Sequence, residues 1–474
     1  LKKLERHYSG ITGLDELTQG GFIAGASYLI QGRPGSGKTI MANQIAFNHA
    51  DAGGRAVFAS LLSEPHDRLL QFLSTLSFFD DAKIGEEIFY ISAFEALENE
   101  GLDEVVNVLR REIIRNKATL LILDGLLNVR SQAETPLDTK KFIAELQIHA
   151  AFLGCTLLFL TSAEIEQGRP ELTMVDGVIT LSNESDGVHS RRQIALHKLR
   201  GSGFLAGCHE YWISKDGIMV SPRIEELFKT PTRTQRTSLK RIESGVPDLD
   251  QVLNGGLIER SATLVFGPSG CGKTTLGLNF ICSSTAEEKG LILSLFEEPE
   301  QLLIKSNELG LPLEVLTQSG IVSIDWQPTS GFRLDEVALR TLASVRDLGI
   351  KRVFIDSLSA LSRQAATQGR LVGFVSALVN ELRALGATLY LSWETSGFPG
   401  TDLRAPSPEI CSIVDNIFLM RFCEKSANSL LSLSVVKCRY SSFEHPANNL
   451  SIRDGGVHFT GKEQPYIVDS LSKS

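Results

Sequence analysis

Two stretches of the sequence carry residue types that, at their spacing, suit one kind of chemistry. GRPGSGKT runs from Gly32 to Thr39 and GPSGCGKT from Gly267 to Thr274; both read G-x-x-x-x-G-K followed by Thr. The glycines Gly32, Gly35 and Gly37, and Gly267, Gly270 and Gly272, permit a loop whose backbone N–H groups converge on phosphate oxygens. Ser36 and Cys271 add their N–H groups to that cradle, and the start of the following helix adds a favourable dipole. Lys38 and Lys273 are then placed to pair with the β- and γ-phosphates of ATP. Thr39 and Thr274 are placed to bind Mg²⁺, and Thr275 continues the second loop. Each motif follows an apolar run and precedes a helical one, the context this chemistry requires.

The second half of such a site is an aspartate ending a later apolar strand. Asp124 in LLILDG and Asp356 in VFIDSL fit, reaching Mg²⁺ directly or through water. Hydrolysis further calls for a carboxylate that orients or deprotonates the nucleophile. SLFEEP supplies Glu297 and Glu298 immediately after ILSLF, whereas the matching SLLSEP has Ser63 and then Glu64. EEPEQ also reads as an ordinary acidic helix start. Aligned on the shared Glu-Pro, Glu64 lies over Glu298 and Ser63 over Glu297. The first site is therefore expected to bind ATP firmly and to turn it over more slowly than the second.

These pairs belong to a chain written twice. SGITGLDELTQGGF (Ser9–Phe22) returns as SGVPDLDQVLNGGL (Ser244–Leu257), LGCTLLFLTSAE as LGATLYLSWET, and LHKLRGS as VVKCRYS. Lys273 follows Lys38 by 235 positions, Asp356 follows Asp124 by 232, and Lys437 follows Lys198 by 239. A tandem duplication of a domain of about 230 residues accounts for this, a usual domain size. The expected layout is a first domain over 1–227, a linker over 228–242 and a second domain over 243–474. The linker's cations Lys229, Arg233, Arg236, Lys240 and Arg241 read as a solvated connector. Within each copy, short apolar runs alternate with amphipathic stretches. This predicts an α/β fold with a mainly parallel sheet covered by helices.

Bulk composition narrows the class. The 474 residues are 42% apolar and 22% charged, with net charge −9, which argues against a dedicated nucleic-acid binder. No apolar run reaches the ~18–20 residues of a membrane span, and the N-terminus lacks the apolar core of a secretory signal. Seven cysteines without CxxC pairing or metal-ligand spacing fit reduced thiols in the cytoplasm.

In combination, GPSGCGKTT, the Glu297–Glu298 pair, the V-F-I-D-S strand and a terminal K-x-R resemble the KaiC family, clock-type bacterial ATPases with tandem RecA-like P-loop domains. The resemblance runs from Ser9 to about Gly456. It implies a two-tiered ring, typically a hexamer, with ATP between neighbouring subunits. The N-terminal tier would be a slow ATPase and the C-terminal tier a serine/threonine autokinase. It also implies that Lys198 and Arg200, and Lys437 and Arg439, reach a neighbour's phosphates in trans; without it, K-x-R reads as a solvent-facing strand. Tyr440 departs from the usual glycine. The family's adjacent Ser and Thr acceptors correspond to Cys411 and Ser412, so Ser412 is the one candidate phosphosite. After DGGVHF the clock proteins' long tail is expected to be absent or shortened, and a KaiB-like signalling partner is the kind of partner implied. Competing classes are a DNA-dependent recombinase or ring helicase and a nucleotide-binding scaffold. The loops after Asp124 and Asp356 carry few cations and no aromatic residues, against the first of these.

Overall fold

The structure is a computed structural model. It describes residues 4–462 apart from 64–65, 134, 163–168, 186–189, 233–238, 329–331, 366, 396–406, 426–427 and 441–446. The chain divides into two compact units, Leu1–Leu227 and Phe228–Ser474. Glu64, Arg233 and Arg236 lie outside the described residues.

The first unit is built on nine strands: β1 (Ser27–Gln31), β2 (Ala56–Ser60), β3 (Ile88–Ser92), β4 (Leu120–Asp124), β5 (Thr156–Thr161), β6 (Gly177–Ser185), β7 (Ser190–Leu199), β8 (Cys208–Ser214) and β9 (Gly217–Ser221). They lie in the order β9-β8-β7-β6-β1-β5-β4-β2-β3. The pairings from β6 to β3 are parallel, and those from β6 out to β9 are antiparallel.

Alternating side chains on the strands feed two cores. Ile30, Phe58, Ile122 and Leu158 face the helix α1 (Lys38–Asp51), which contributes Met41, Ile45 and Phe47. Leu29, Leu121, Leu157 and Phe159 face the helices α2 (Leu102–Asn116) and α3 (Pro136–Leu153). The near-continuous apolar runs of the parallel strands are the consequence of cover on both faces.

The second unit repeats the plan with β10 (Ala262–Gly267), β11 (Gly290–Ser294), β12 (Val322–Trp326), β13 (Arg352–Asp356), β14 (Thr388–Glu394), β15 (Asn416–Lys425), β16 (Asn428–Cys438), β17 (Asn448–Arg453) and β18 (Gly456–Lys462). Their order, β12-β11-β13-β14-β10-β15-β16-β17-β18, is that of the first sheet, strand for strand. The α/β class with a mainly parallel sheet is thus present in both halves. Small details repeat as well. A two-residue ladder ties Arg6–His7 to Phe22–Ile23 and Arg241–Ile242 to Leu257–Ile258. Among the described residues no helix is long and apolar enough to cross a membrane.

Candidate active site

In each unit the phosphate loop leaves the central strand, β1 or β10, and opens a helix, α1 or α4 (Lys273–Cys282). Gly37 and Gly272 cap those helices at φ 91° and 89°, a left-handed conformation that favours glycine. The first glycines are required for a different reason. A Cβ on Gly32 would lie 2.1 Å from the Leu181 carbonyl oxygen, and one on Gly267 would lie 2.2 Å from that of Met420. The loops therefore nest against β6 and β15 and hold one shape.

Lys38 and Lys273 are buried and folded onto their own loops. Lys38 Nζ donates to the Gly32 and Arg33 carbonyls at 2.8 and 3.1 Å. Lys273 Nζ donates to those of Gly267 and Pro268 at 3.0 and 2.7 Å. Burial pulls the Lys38 ammonium below its ordinary value, with Asp124 opposing. Both ammonium groups are thus held over the cradle.

The aspartates arrive from the sheet. The Thr274 hydroxyl donates to Asp356 Oδ2 at 2.7 Å, and Ser392 donates to Oδ1. In the first unit, Thr39 Oγ1 and Asp124 Oδ2 are 3.4 Å apart, and Leu160, paired with Asp124, stands where Ser392 does. Burial raises the Asp356 carboxyl, with Glu297 adding in the same direction and hydrogen bonds from Ser392 and Thr274 opposing. A hydroxyl beside a carboxylate forms a hard-oxygen donor set, which fits Mg²⁺.

The second cleft has a volume of about 470 Å³ and is lined by Lys273, Thr274, Glu297, Lys305, Asp356 and Glu394 among others. Glu297 faces into it and pairs with Lys305 of the helix α5 (Pro299–Glu308) at 2.9 Å. Glu298 is exposed and takes a different position: it is the N-cap of α5, and its N–H donates to Gln301 Oε1 at 3.1 Å in a capping box. The sequence offers both glutamates for catalysis without saying which one faces the phosphate; the structure separates them. Lys305, two helical turns beyond Glu297, and Glu394 were not among the residues the sequence pointed to. Glu394 pairs with Gly267 across β10 and β14, so its strand end abuts the loop. The quoted block LSWET contained Glu394, but only the strand order reveals where it goes.

The K-x-R pairs lie elsewhere. Lys198 Nζ donates to the carbonyls of Leu172, Thr173 and Val175 at 3.2, 3.0 and 2.5 Å, and Arg200 lies 3.6 Å from Asp176. Lys437 Nζ donates to those of Cys411 and Val414 at 2.7 and 2.8 Å, and Arg439 to that of Ser412 at 2.9 Å. Within each unit they cap the C-terminus of a short helix, Pro170–Met174 or Pro408–Ile413, where cations suit the dipole. Ser412 is exposed on the latter, its hydroxyl donating to the Pro408 carbonyl at 2.9 Å. Tyr440 adopts φ 67°, the same left-handed turn that Gly201 makes at 76°.

The family model of the KaiC ATPase matches residues 7–225 and again 242–464. The chain belongs to the KaiC ATPase family. Among curated relatives, the circadian clock oscillator protein KaiC of Picosynechococcus sp. PCC 7002 is 26% identical over 473 residues, spanning 96% of this chain and 90% of that protein. The circadian clock oscillator protein KaiC 1 of Synechocystis sp. PCC 6803 is 26% identical, with 96% and 89% covered. KaiC of Synechococcus elongatus PCC 7942 is 26% identical, with 94% and 87% covered. This KaiC-family chain is accordingly a tandem ATPase that uses ATP, with one KaiC domain in each half.

Proposed function

We propose that this KaiC-family chain binds ATP and Mg²⁺ in both units and hydrolyses ATP chiefly in the second. The supporting observation is the second cleft, where the Glu297 carboxylate, held by Lys305, shares one wall with Thr274 and Asp356. There Glu297 orients or deprotonates the attacking nucleophile, and Lys273 balances charge on the transferring phosphoryl group. Mg²⁺, held by Thr274 and Asp356, supplies charge neutralisation on the phosphate oxygens. The first unit carries Ser63 at the position of Glu297 and acts mainly as a holder of ATP.

The assembly in this reading is a two-tiered ring in the cytoplasm, a hexamer with ATP at the subunit interfaces. Lys198, Arg200, Lys437 and Arg439 serve a neighbour's phosphates. A nucleophile other than water is available on the exposed helix Pro408–Ile413, whose Ser412 hydroxyl would accept a phosphoryl group. A KaiB-like protein is the partner class that fits. The reading is tested by ATP incubation with intact-mass analysis and phosphopeptide mapping, beside ATPase rates with and without single-stranded DNA. Mass photometry with and without ATP tests the ring. Turnover independent of DNA, one phosphate at Ser412 and an ATP-dependent hexamer are expected. An unmodified Ser412 under turnover leaves a plain ATPase, and a persistent monomer removes the trans roles.

A further inference from the structure

The two phosphate loops are braced differently from behind. In the first unit, Arg192 Nη1 on β7 donates to the Gly35 carbonyl at 2.9 Å, and the Tyr211 hydroxyl on β8 donates to the Ser36 carbonyl. Tyr211 is 2% exposed, so its hydroxyl is directed into the protein and away from solvent. Register identifies the counterparts. Gln193 pairs with Glu210 in the first sheet as Ser432 pairs with Asn449 in the second. Arg192 and Tyr211 therefore correspond to Leu431 and Leu450, themselves paired. The strands approach the loops equally closely in both units. A Cβ on Gly37 would meet Ile213 at 2.6 Å, and one on Gly272 would meet Ile452 at 2.7 Å. What differs is the donor chemistry: leucines have no hydrogen to give to the carbonyls of Gly270 and Cys271.

Those carbonyls matter because a peptide group is planar. Fixing the Gly35 oxygen fixes the N–H of Ser36, and fixing the Ser36 oxygen fixes that of Gly37. These are N–H groups of the phosphate cradle. We propose that Arg192 and Tyr211 are positioning residues that lock the first loop in its phosphate-binding shape, making the first unit a slow-exchanging nucleotide site while the second exchanges freely. Preorganisation reduces what the loop must lose on binding, and such gains appear mainly as slower dissociation. The inference rests on the reading that the first loop binds ATP.

The test uses the full chain carrying Lys273→Ala, so that a fluescently labelled ATP reports the first site, and follows its release during a chase with unlabelled ATP. Tyr211→Phe and Arg192→Leu are each expected to retain one bound nucleotide and to release it roughly three- to tenfold faster, the effect of one lost hydrogen bond. Neither variant should alter release from the second site, measured in a Lys38→Ala chain. Tyr211→Phe removes one buried oxygen atom and keeps the ring packed, which makes it the deciding variant. Binding with unchanged release in Tyr211→Phe overturns the inference alone, including the case where only Arg192→Leu accelerates release. Absence of any binding at the first site overturns both the inference and the two-site reading beneath it.

Discussion

Lys305 Nζ stands 2.9 Å from Glu297 Oε1, and both side chains are about one-third exposed at the wall of the second cleft. Such a pair contributes little to stability in its own right, because water screens it. Its consequence is directional: it holds one glutamate towards Asp356 while the neighbouring Glu298 turns away to cap a helix. Glu297→Gln is therefore expected to lower second-site ATP turnover by ~10²–10⁴-fold with ATP binding kept. Glu298→Gln should change turnover less than about threefold, as loss of an N-cap acts on helix stability. Steady-state phosphate release in a Lys38→Ala chain measures both; equal losses would return the two glutamates to equal standing.

Ser63 occupies the place of Glu297 in the first unit, as Ser60 and Ser294 show by pairing with Asp124 and Asp356. Restoring the carboxylate is a gain-of-function test. Ser63→Glu in a Lys273→Ala chain should raise first-site turnover at least about tenfold, the lower part of what a positioned base supplies. An unchanged rate would mean that the slow step of the first site lies elsewhere, for example in nucleotide exchange.

Tyr440 makes with a bulky side chain the turn that Gly201 makes in the first unit, at φ 67° against 76°. A non-glycine residue in that region is disfavoured by about 1 kcal/mol. Tyr440 is 55% exposed, so the turn sits at the surface. Tyr440→Gly should stabilise the second unit by roughly 0.5–1 kcal/mol, read as a higher midpoint in denaturant. Destabilisation would assign the ring a packing role.

How much of this was legible in the sequence follows from the range of each interaction. The loops are local backbone motifs, Asp124 and Asp356 each end an apolar run that reads as a strand, and the constant offset announced two similar sheets. Lys305 and Glu394 were illegible because one is brought in by helical turns and the other by strand order. The K-x-R pairs were visible as a pattern, but not the carbonyls they cap, since those lie on a preceding helix. Arg192 and Tyr211 sit about 155–175 residues beyond their loop on the antiparallel side of the sheet, where no spacing rule reaches. Tyr440 was visible as a departure from glycine, and only the backbone shows that it keeps the glycine's turn.

His49 on α1 gives the first unit an acid sensitivity that the second does not share. Its Nε2 lies 2.7 Å from Thr119 Oγ1, and the His7 ring packs edge-on with centroids 4.9 Å apart. Burial pulls the His49 imidazole from 6.5 to about 4, with His7 acting in the same direction. The folded state thus stays neutral where the unfolded chain takes up a proton. Stability is full above about pH 6.5 and falls as pH drops towards 4, by on the order of 3 kcal/mol across the window. The corresponding position in the second unit is Ser284, just beyond the end of α4, and serine does not titrate in this range. Amide exchange in α1, corrected for intrinsic rates, should therefore lose protection between pH 7.5 and 5 while α4 holds, and His49→Asn should reduce that dependence to what His7, His66 and His209, also pulled down by burial, contribute. Equal loss in both helices would place the acid sensitivity elsewhere in the molecule.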